Sequence, residues 1–193
     1  IDQRTLVLPA TQQIMKVYHF NTIDSTMTIC ENWPKRYVSD KICYCFIADA
    51  QQSGQGQRTN SWTSPPGNCY VNYLFRIDSH LAMFAAQMAS LSVVEVLETY
   101  CQSTTSSPKL KWINDIFMGG KKISGVLPKC ETNDNKCYLW IGIGVNINGT
   151  PIAGSTSLKE QLNSTTDIDI VPFIDKLSEI LMENVKKLRS VGF

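Results

Sequence analysis

The stretch Leu110-Lys111-Trp112-Ile113-Asn114-Asp115-Ile116-Phe117-Met118-Gly119-Gly120-Lys121-Lys122-Ile123-Ser124-Gly125-Val126-Leu127 reads as two apolar strands around a Gly-Gly turn, with a break at Asn114-Asp115. A tight hairpin joins antiparallel strands, so this segment cannot belong to an all-parallel, doubly wound sheet. Further strands are expected at residues 16–20, 42–48, 69–77 and 138–147, each rich in β-branched or aromatic residues. Asp24-Ser25-Thr26 reads as an N-cap for a helix ending near Pro34. Residues 81–100 read as a buried helix, and Pro172 opens a last helix with Phe173, Leu177, Ile180, Leu181, Val185 and Leu188 on one stripe. Strand groups interrupted by helices give an α+β fold, a mixed and largely antiparallel sheet covered by helices.

The 193 residues suit one domain spanning 1–193, with a core large enough to do without disulfides. Eighteen basic against seventeen acidic residues are too balanced for general nucleic-acid binding, so any anion is held locally. No run approaches the roughly 20 uncharged apolar residues of a membrane helix. Seven cysteines lack a metal-knuckle pattern; Cys43 and Cys45 lie in an apolar run, where cysteine acts as a small buried hydrophobe. Free cysteines fit a reducing compartment, cytoplasmic or organellar. The chain opens on Ile1, which suggests a processed or excised piece.

Three clusters carry chemistry. Gly54-Gln55-Gly56-Gln57-Arg58-Thr59-Asn60-Ser61-Trp62 lies in a polar loop spanning residues 51–67, where glycines let backbone N–H groups approach a phosphate, Arg58 adds charge and Trp62 a flat face. The same composition also describes a surface turn. Lys111 and Lys122 are expected near one another at the ends of paired strands, beside Asn114 and Asp115, a set suited to phosphate, carboxylate and metal, although lysines on a solvated face need no such reason. Gly142 and Gly144 alternate within the strand before Asn146, which implies either close passage of a ligand or a bulge.

Taken in order, these clusters resemble the biotin protein ligases. The matching segments are Ser25-Thr26, Ala48-Asp49-Ala50-Gln51, Gly54 to Gln57, Trp62-Thr63-Ser64-Pro65, Lys111 to Asp115, Lys122 to Leu127 and Gly142 to Asn146, over roughly residues 17 to 150. The resemblance implies a class II synthetase-like fold and an ATP-dependent ligase that uses Mg²⁺. Such a ligase activates biotin as biotinyl-5′-AMP and passes it to a lysine of a biotin carboxyl carrier domain. It implies Lys122 at the biotin carboxylate and reacting phosphate, Lys111 and Arg58 at the polyphosphate, Asp115 at the incoming amine or a metal, and Asn114 as a geometric clamp. Ser25, Thr26, Gln51, Gly54, Gly56, Gly125, Leu127 and Gly142 would line the biotin pocket. Gln55, Gln57, Asn60, Trp62 and Asn146 would serve ATP, with Trp62 stacked on adenine and Asn146 at its edge.

The chain departs from the family pattern at several points. Gln55 and Gln57 replace loop arginines, which should weaken retention of the adenylate. Met27 replaces an asparagine, Ile113 a proline, and Pro128-Lys129 stands where an acidic residue is common. The segments before and after the matching region are expected to be too short for a winged helix or a complete SH3-like barrel. An exposed sheet edge would leave room for a homodimer. Lipoate attachment, or binding of biotin or nucleotide without catalysis, are the alternatives within this fold.

Overall fold

The computed structural model describes residues 1–8, 11–101, 106–111, 113–133 and 135–190, the Asn133 side chain excepted; Trp112 of the lysine-tryptophan motif lies outside the described residues. Eight strands form one sheet in the order β1-β2-β3-β4-β8-β7-β6-β5. They are β1 (Asp2–Leu8), β2 (Gln13–Ile23), β3 (Ile42–Gln51), β4 (Cys69–Asp78), β5 (Lys109–Lys111), β6 (Asp115–Met118), β7 (Lys121–Asn133) and β8 (Lys136–Val145). Among the described strands β2 and β3 are the parallel pair, and the crossover between them carries α1 (Thr26–Glu31). Helices α2 (Ala85–Tyr100), α3 (Leu158–Gln161) and α4 (Ile170–Ser190) complete the chain. The fold is α+β, as the hairpin signal requires, and Gly119 and Gly120 at its turn have φ of 58° and 77°, which glycine adopts without a Cβ clash.

The sheet's two faces are chemically different. On one face Val17, Cys45, Ile47, Val71, Tyr73, Phe75, Leu139, Ile141 and Ile143 pack under α2 and α4, whose Phe173, Leu177, Leu181 and Val185 form the expected apolar stripe. The Tyr73 hydroxyl and Ser178 Oγ, 2.9 Å apart, pin α4 to the sheet. On the other face a smaller cluster of Met27, Cys30, Tyr44, Phe46, Leu74 and Trp140 lies under α1. Cys43 and Cys45 are fully buried within β3, and burial pushes the Cys43 thiol up to about 12. The helical stretch Ser79–Tyr100 is long and apolar enough to cross a bilayer, but half of it is buried, against α4 and the sheet.

The expected strands at 16–20 and 138–147 are corrected to Gln13–Ile23 and Lys136–Val145. β1 and α3 come from the structure alone. At the sheet's rim Asp40 accepts hydrogen bonds from Arg76 Nε at 3.1 Å and Nη2 at 2.9 Å, which holds its carboxyl below the usual value; Lys136 does the same for Asp78. A carboxyl lowered on folding stabilises above its unfolded pKa of about 4 and loses that contribution as pH falls through the folded value. Thermal melts at pH 6 and pH 2.5 should therefore show a smaller acid loss for Asp40→Asn than for the parent chain.

Candidate active site

The α1 face of the sheet holds a cavity of about 160 Å³ between α1, the loop after β3, and the strands β4, β8 and β7. Its wall begins at the α1 N-terminus, where Ser25 Oγ accepts from the Met27 N–H as the N-cap. Gln51, at the end of β3, ties this turn to the loop. Its Oε1 accepts from the Thr26 N–H at 2.8 Å and the Thr26 hydroxyl at 3.1 Å, and its Nε2 donates to Ser64 Oγ at 2.9 Å. Ser64 in turn donates to the Trp62 carbonyl at 2.8 Å. The glycine loop is thus folded on itself, with the Trp62 N–H on the Gly54 carbonyl and the Gly56 N–H on the Asn60 carbonyl, both 2.8 Å. A Cβ on Gly54 would lie 2.3 Å from the Trp62 carbonyl oxygen, so this close approach requires glycine.

The opposite wall is built by a defect in the sheet. Between β6 and β7 the register slips, so that Ile116 faces Ser124 and Phe117 faces Lys122, leaving Ile123 as an extra residue. This bulge turns Ile123 into the core and places Lys122 on the same face as Gly125, Leu127 and Lys129. Lys122 Nζ sits 2.7 Å from Asp115 Oδ1 and 5.3 Å from the centre of the Trp62 ring. Asn114 locks the strands that carry these two residues: its Nδ2 donates to the Val126 carbonyl while its own carbonyl accepts the Val126 N–H, both at 2.9 Å. Gly125 and Gly144 are cross-strand partners and form a flat shelf on which the Trp62 indole lies; a Cβ on Gly144 would be 2.5 Å from indole Nε1 and Cε2. The indole Nε1 is buried without a partner.

Of the residues singled out in the sequence, Ser25, Thr26, Gln51, Gln55, Gly56, Gln57, Asn60, Trp62, Asn114, Asp115, Lys122, Gly125, Leu127 and Gly142 line this cavity. Four do not. Lys111 shares the face of Lys122 but lies farther toward the sheet edge, opposite Asp115, with its ammonium 5.1 Å from the Phe117 ring, and the close counter-charge of Lys122 is Asp115. Gly54 acts on the loop, not on the cavity. Arg58 stands exposed at the loop tip with φ of 57°. Asn146 turns away from the cavity, and its Nδ2 donates to the Thr156 carbonyl at 3.0 Å. Asn72 and Gly144 also line the cavity; the sequence reading overlooked Asn72, whereas Gly144 is one of the two strand glycines it singled out for close passage of a ligand. A polar residue inside the otherwise apolar run 69–75 is the signal that could have found Asn72.

Lys129 explains one departure from the family pattern. Its ammonium bonds Glu31 at 2.6 Å and the Gln55 amide oxygen at 3.0 Å, while Gln55 Nε2 donates to Thr28 at 3.2 Å. The lysine on β7 therefore latches the glycine loop to α1. An exposed pair of this kind is worth about 0.2–1 kcal/mol, so Lys129→Ala should speed amide hydrogen exchange across residues 54–61 by about 1.5- to 5-fold; equal exchange rates would remove the latch. As to a metal, the described residues hold no cluster of three or more ligating side chains. Asp115 offers a single carboxylate, which suits an ion brought by a polyphosphate and keeping most of its water.

A second cavity, on the α4 face between β1–β3 and the start of α4, is larger at about 680 Å³ but gathers none of the glycine, lysine or asparagine motifs of the first cavity. The chemistry points to the first.

A family model described as the biotin/lipoate A/B protein ligase family matches residues 19–148, more than half of the chain. The chain belongs to this family. It is 30% identical over 116 residues to the bifunctional ligase/repressor BirA of Bacillus subtilis, covering 59% of this chain and 35% of that protein. Among solved structures, the biotin protein ligase from Aquifex aeolicus in complex with biotin and ATP superposes with a TM-score of 0.72 at 27% identity, over 90% of this chain and 72% of that one. The Leishmania major biotin protein ligase in complex with biotinyl-5-AMP gives a TM-score of 0.74 at 22% identity, over 89% and 75%, which supports the fold. The chain spans about a third of the length of the first curated relatives it matches.

Proposed function

We propose that this chain is a catalytic domain of an ATP-dependent biotin–protein ligase that forms biotinyl-5′-AMP and transfers biotin to a carrier lysine. The observation that carries the reading is Lys122: a bulge aims its ammonium into a cavity whose opposite wall is a continuous run of hydrogen bonds through Thr26, Gln51 and Ser64. A carboxylate entering the cavity takes that ammonium from Asp115, and the lysine then faces both the carboxylate and the α-phosphate it attacks. Two anions brought together repel unless a fixed cation lies between them, and a preorganised donor lowers the barrier without reorganising. In the first step a biotin carboxylate oxygen bonds to the α-phosphorus and pyrophosphate leaves. In the second the carrier's lysine amine attacks the acyl carbon, AMP leaves, and the amine proton passes to solvent or to Asp115, released from Lys122. The shelf of Gly125 and Gly144, the indole of Trp62 and the loop residues Gln55, Gly56, Gln57 and Asn60 enclose the reacting groups. Asp115 would touch a phosphate-borne Mg²⁺.

The test is the intact mass of a biotin carboxyl carrier domain incubated with this protein, ATP and Mg²⁺, with biotin and lipoic acid in separate tubes. One biotin-sized adduct is the expected result. A lipoyl adduct instead moves the chain to the other branch of its family, and no adduct with either acid overturns the reading.

A further inference from the structure

Asn72 lies at the middle of β4, opposite Gly142 of β8, on the face that lines the active-site cavity. It is fully buried, among side chains that leave it little to bond with. Its Nδ2 donates to the Met27 thioether at 3.3 Å, and its Oδ1 has no hydrogen-bond partner. A thioether accepts but cannot donate, so this contact fixes the amide with its nitrogen toward Met27 and leaves the oxygen over. Buried side-chain acceptors in folded proteins are seldom left this way, and each needs a reason.

The neighbouring polar groups supply none from within the chain. Gln51 is committed through both ends of its amide, the Thr26 hydroxyl donates to Gln51, and Ser25 Oγ is held by the Met27 N–H. The carboxylate-binding charge, Lys122, belongs to a different wall of the cavity. The ligand that completes the site therefore carries a carboxylate for Lys122 and, at its far end, an uncharged N–H donor for Asn72, since a charged donor buried there would meet no counter-ion. Met27, a flexible side chain, covers the amide and can turn aside.

We propose that Asn72 is the specificity-determining residue of the pocket: its Oδ1 accepts a hydrogen bond from a ureido N–H of biotin and so selects a cyclic urea over a ring without N–H groups. This inference rests on the biotin reading above and adds to it the residue that distinguishes biotin from lipoate. A site built around a buried hydrogen bond discriminates strongly, because the wrong ligand leaves the polar group unpaired.

The test titrates biotin and, separately, ATP into the full chain and its Asn72→Leu variant by calorimetry, with a thermal melt of each. Expected are a ten- to hundredfold weaker biotin Kd, an ATP Kd within threefold of the parent, and a melting temperature equal to or above it, since an apolar side chain removes an unpaired acceptor. Biotin binding within threefold of the parent overturns the proposal. So does loss of biotin and ATP binding together with a lower melting temperature, which marks a structural residue. Should the leucine variant not fold, Asn72→Ser, too short to reach the same point, is read by the same criteria. If the parent itself binds no biotin, the ligase reading fails first, and this proposal with it.

Discussion

Replacing Lys122 by methionine should lower biotin-dependent pyrophosphate exchange by about 10²–10³-fold, the cost of removing one preorganised donor from a developing charge. Stability should hardly change. The Lys122 side chain is 36% exposed, its partner Asp115 is 31% exposed, and such pairs add little to folding. Methionine keeps the unbranched apolar stem beside the Trp62 ring and drops the terminal ammonium, so the variant isolates the charge. Asp115→Asn should lower exchange more mildly, because it weakens the contact to a phosphate-borne metal while also removing the ion that competes for Lys122. Lys111→Met provides the contrast: its ammonium lies over Phe117 outside the cavity, and it should cost at most about tenfold through long-range attraction of anions. Equal losses at Lys111 and Lys122 would mean that the bulge at Ile123 does not define the reacting position.

How far the sequence carried this site can be judged residue by residue. The Gly119-Gly120 turn was legible because only glycine takes two successive positive φ angles cheaply, and the hairpin then fixed the antiparallel character of the sheet. The apolar strands β3, β4 and β8 were legible because both their faces are covered. β1 was not, since all its residues but Leu6 and Leu8 are exposed and its pattern carries little period-two signal. The bulge at Ile123 was equally hidden: a single extra residue leaves no mark on composition, yet it decides which of two consecutive residues, Lys122 or Ile123, reaches the cavity. Motif spacing placed Lys111 beside Lys122, and the register placed it on an outer strand. Lys129 looked arbitrary until its partners Glu31 and Gln55, 98 and 74 residues away in sequence, came into contact with it. Long-range pairing of this kind is a property of topology, which local pattern cannot supply.

The glycine shelf yields the second large effect. Gly144→Ala puts a methyl group 2.5 Å from indole Nε1 and Cε2 of Trp62, closer than real contacts allow. The Trp62 backbone cannot simply shift away, since it is held at its N–H by Gly54 and at its carbonyl by Ser64. Either the loop lifts or the strand yields, and overpacking of this sort costs about 1–3 kcal/mol. For a chain of this length that corresponds to a melting temperature lower by about 2–12 °C. Adenylate formation should fall by tenfold or more, because a displacement of about 1 Å at a positioned site can cost about 10²-fold. The decisive control is the same substitution in a Trp62→Ala background. With the indole gone the three nearest neighbours of the added methyl are gone too, so Gly144→Ala should become nearly silent for stability in the double variant. A coupling of at least 1 kcal/mol between the two positions is the expected result of the double-mutant cycle, within the range of about 0.5–3 kcal/mol seen for residues in contact. Additive losses would show that Gly144 serves the bend of β8 and not the seat of the indole, and the shelf would then have to be sought at Gly125 alone, where a Cβ would lie 2.9 Å from Trp62 Cζ3.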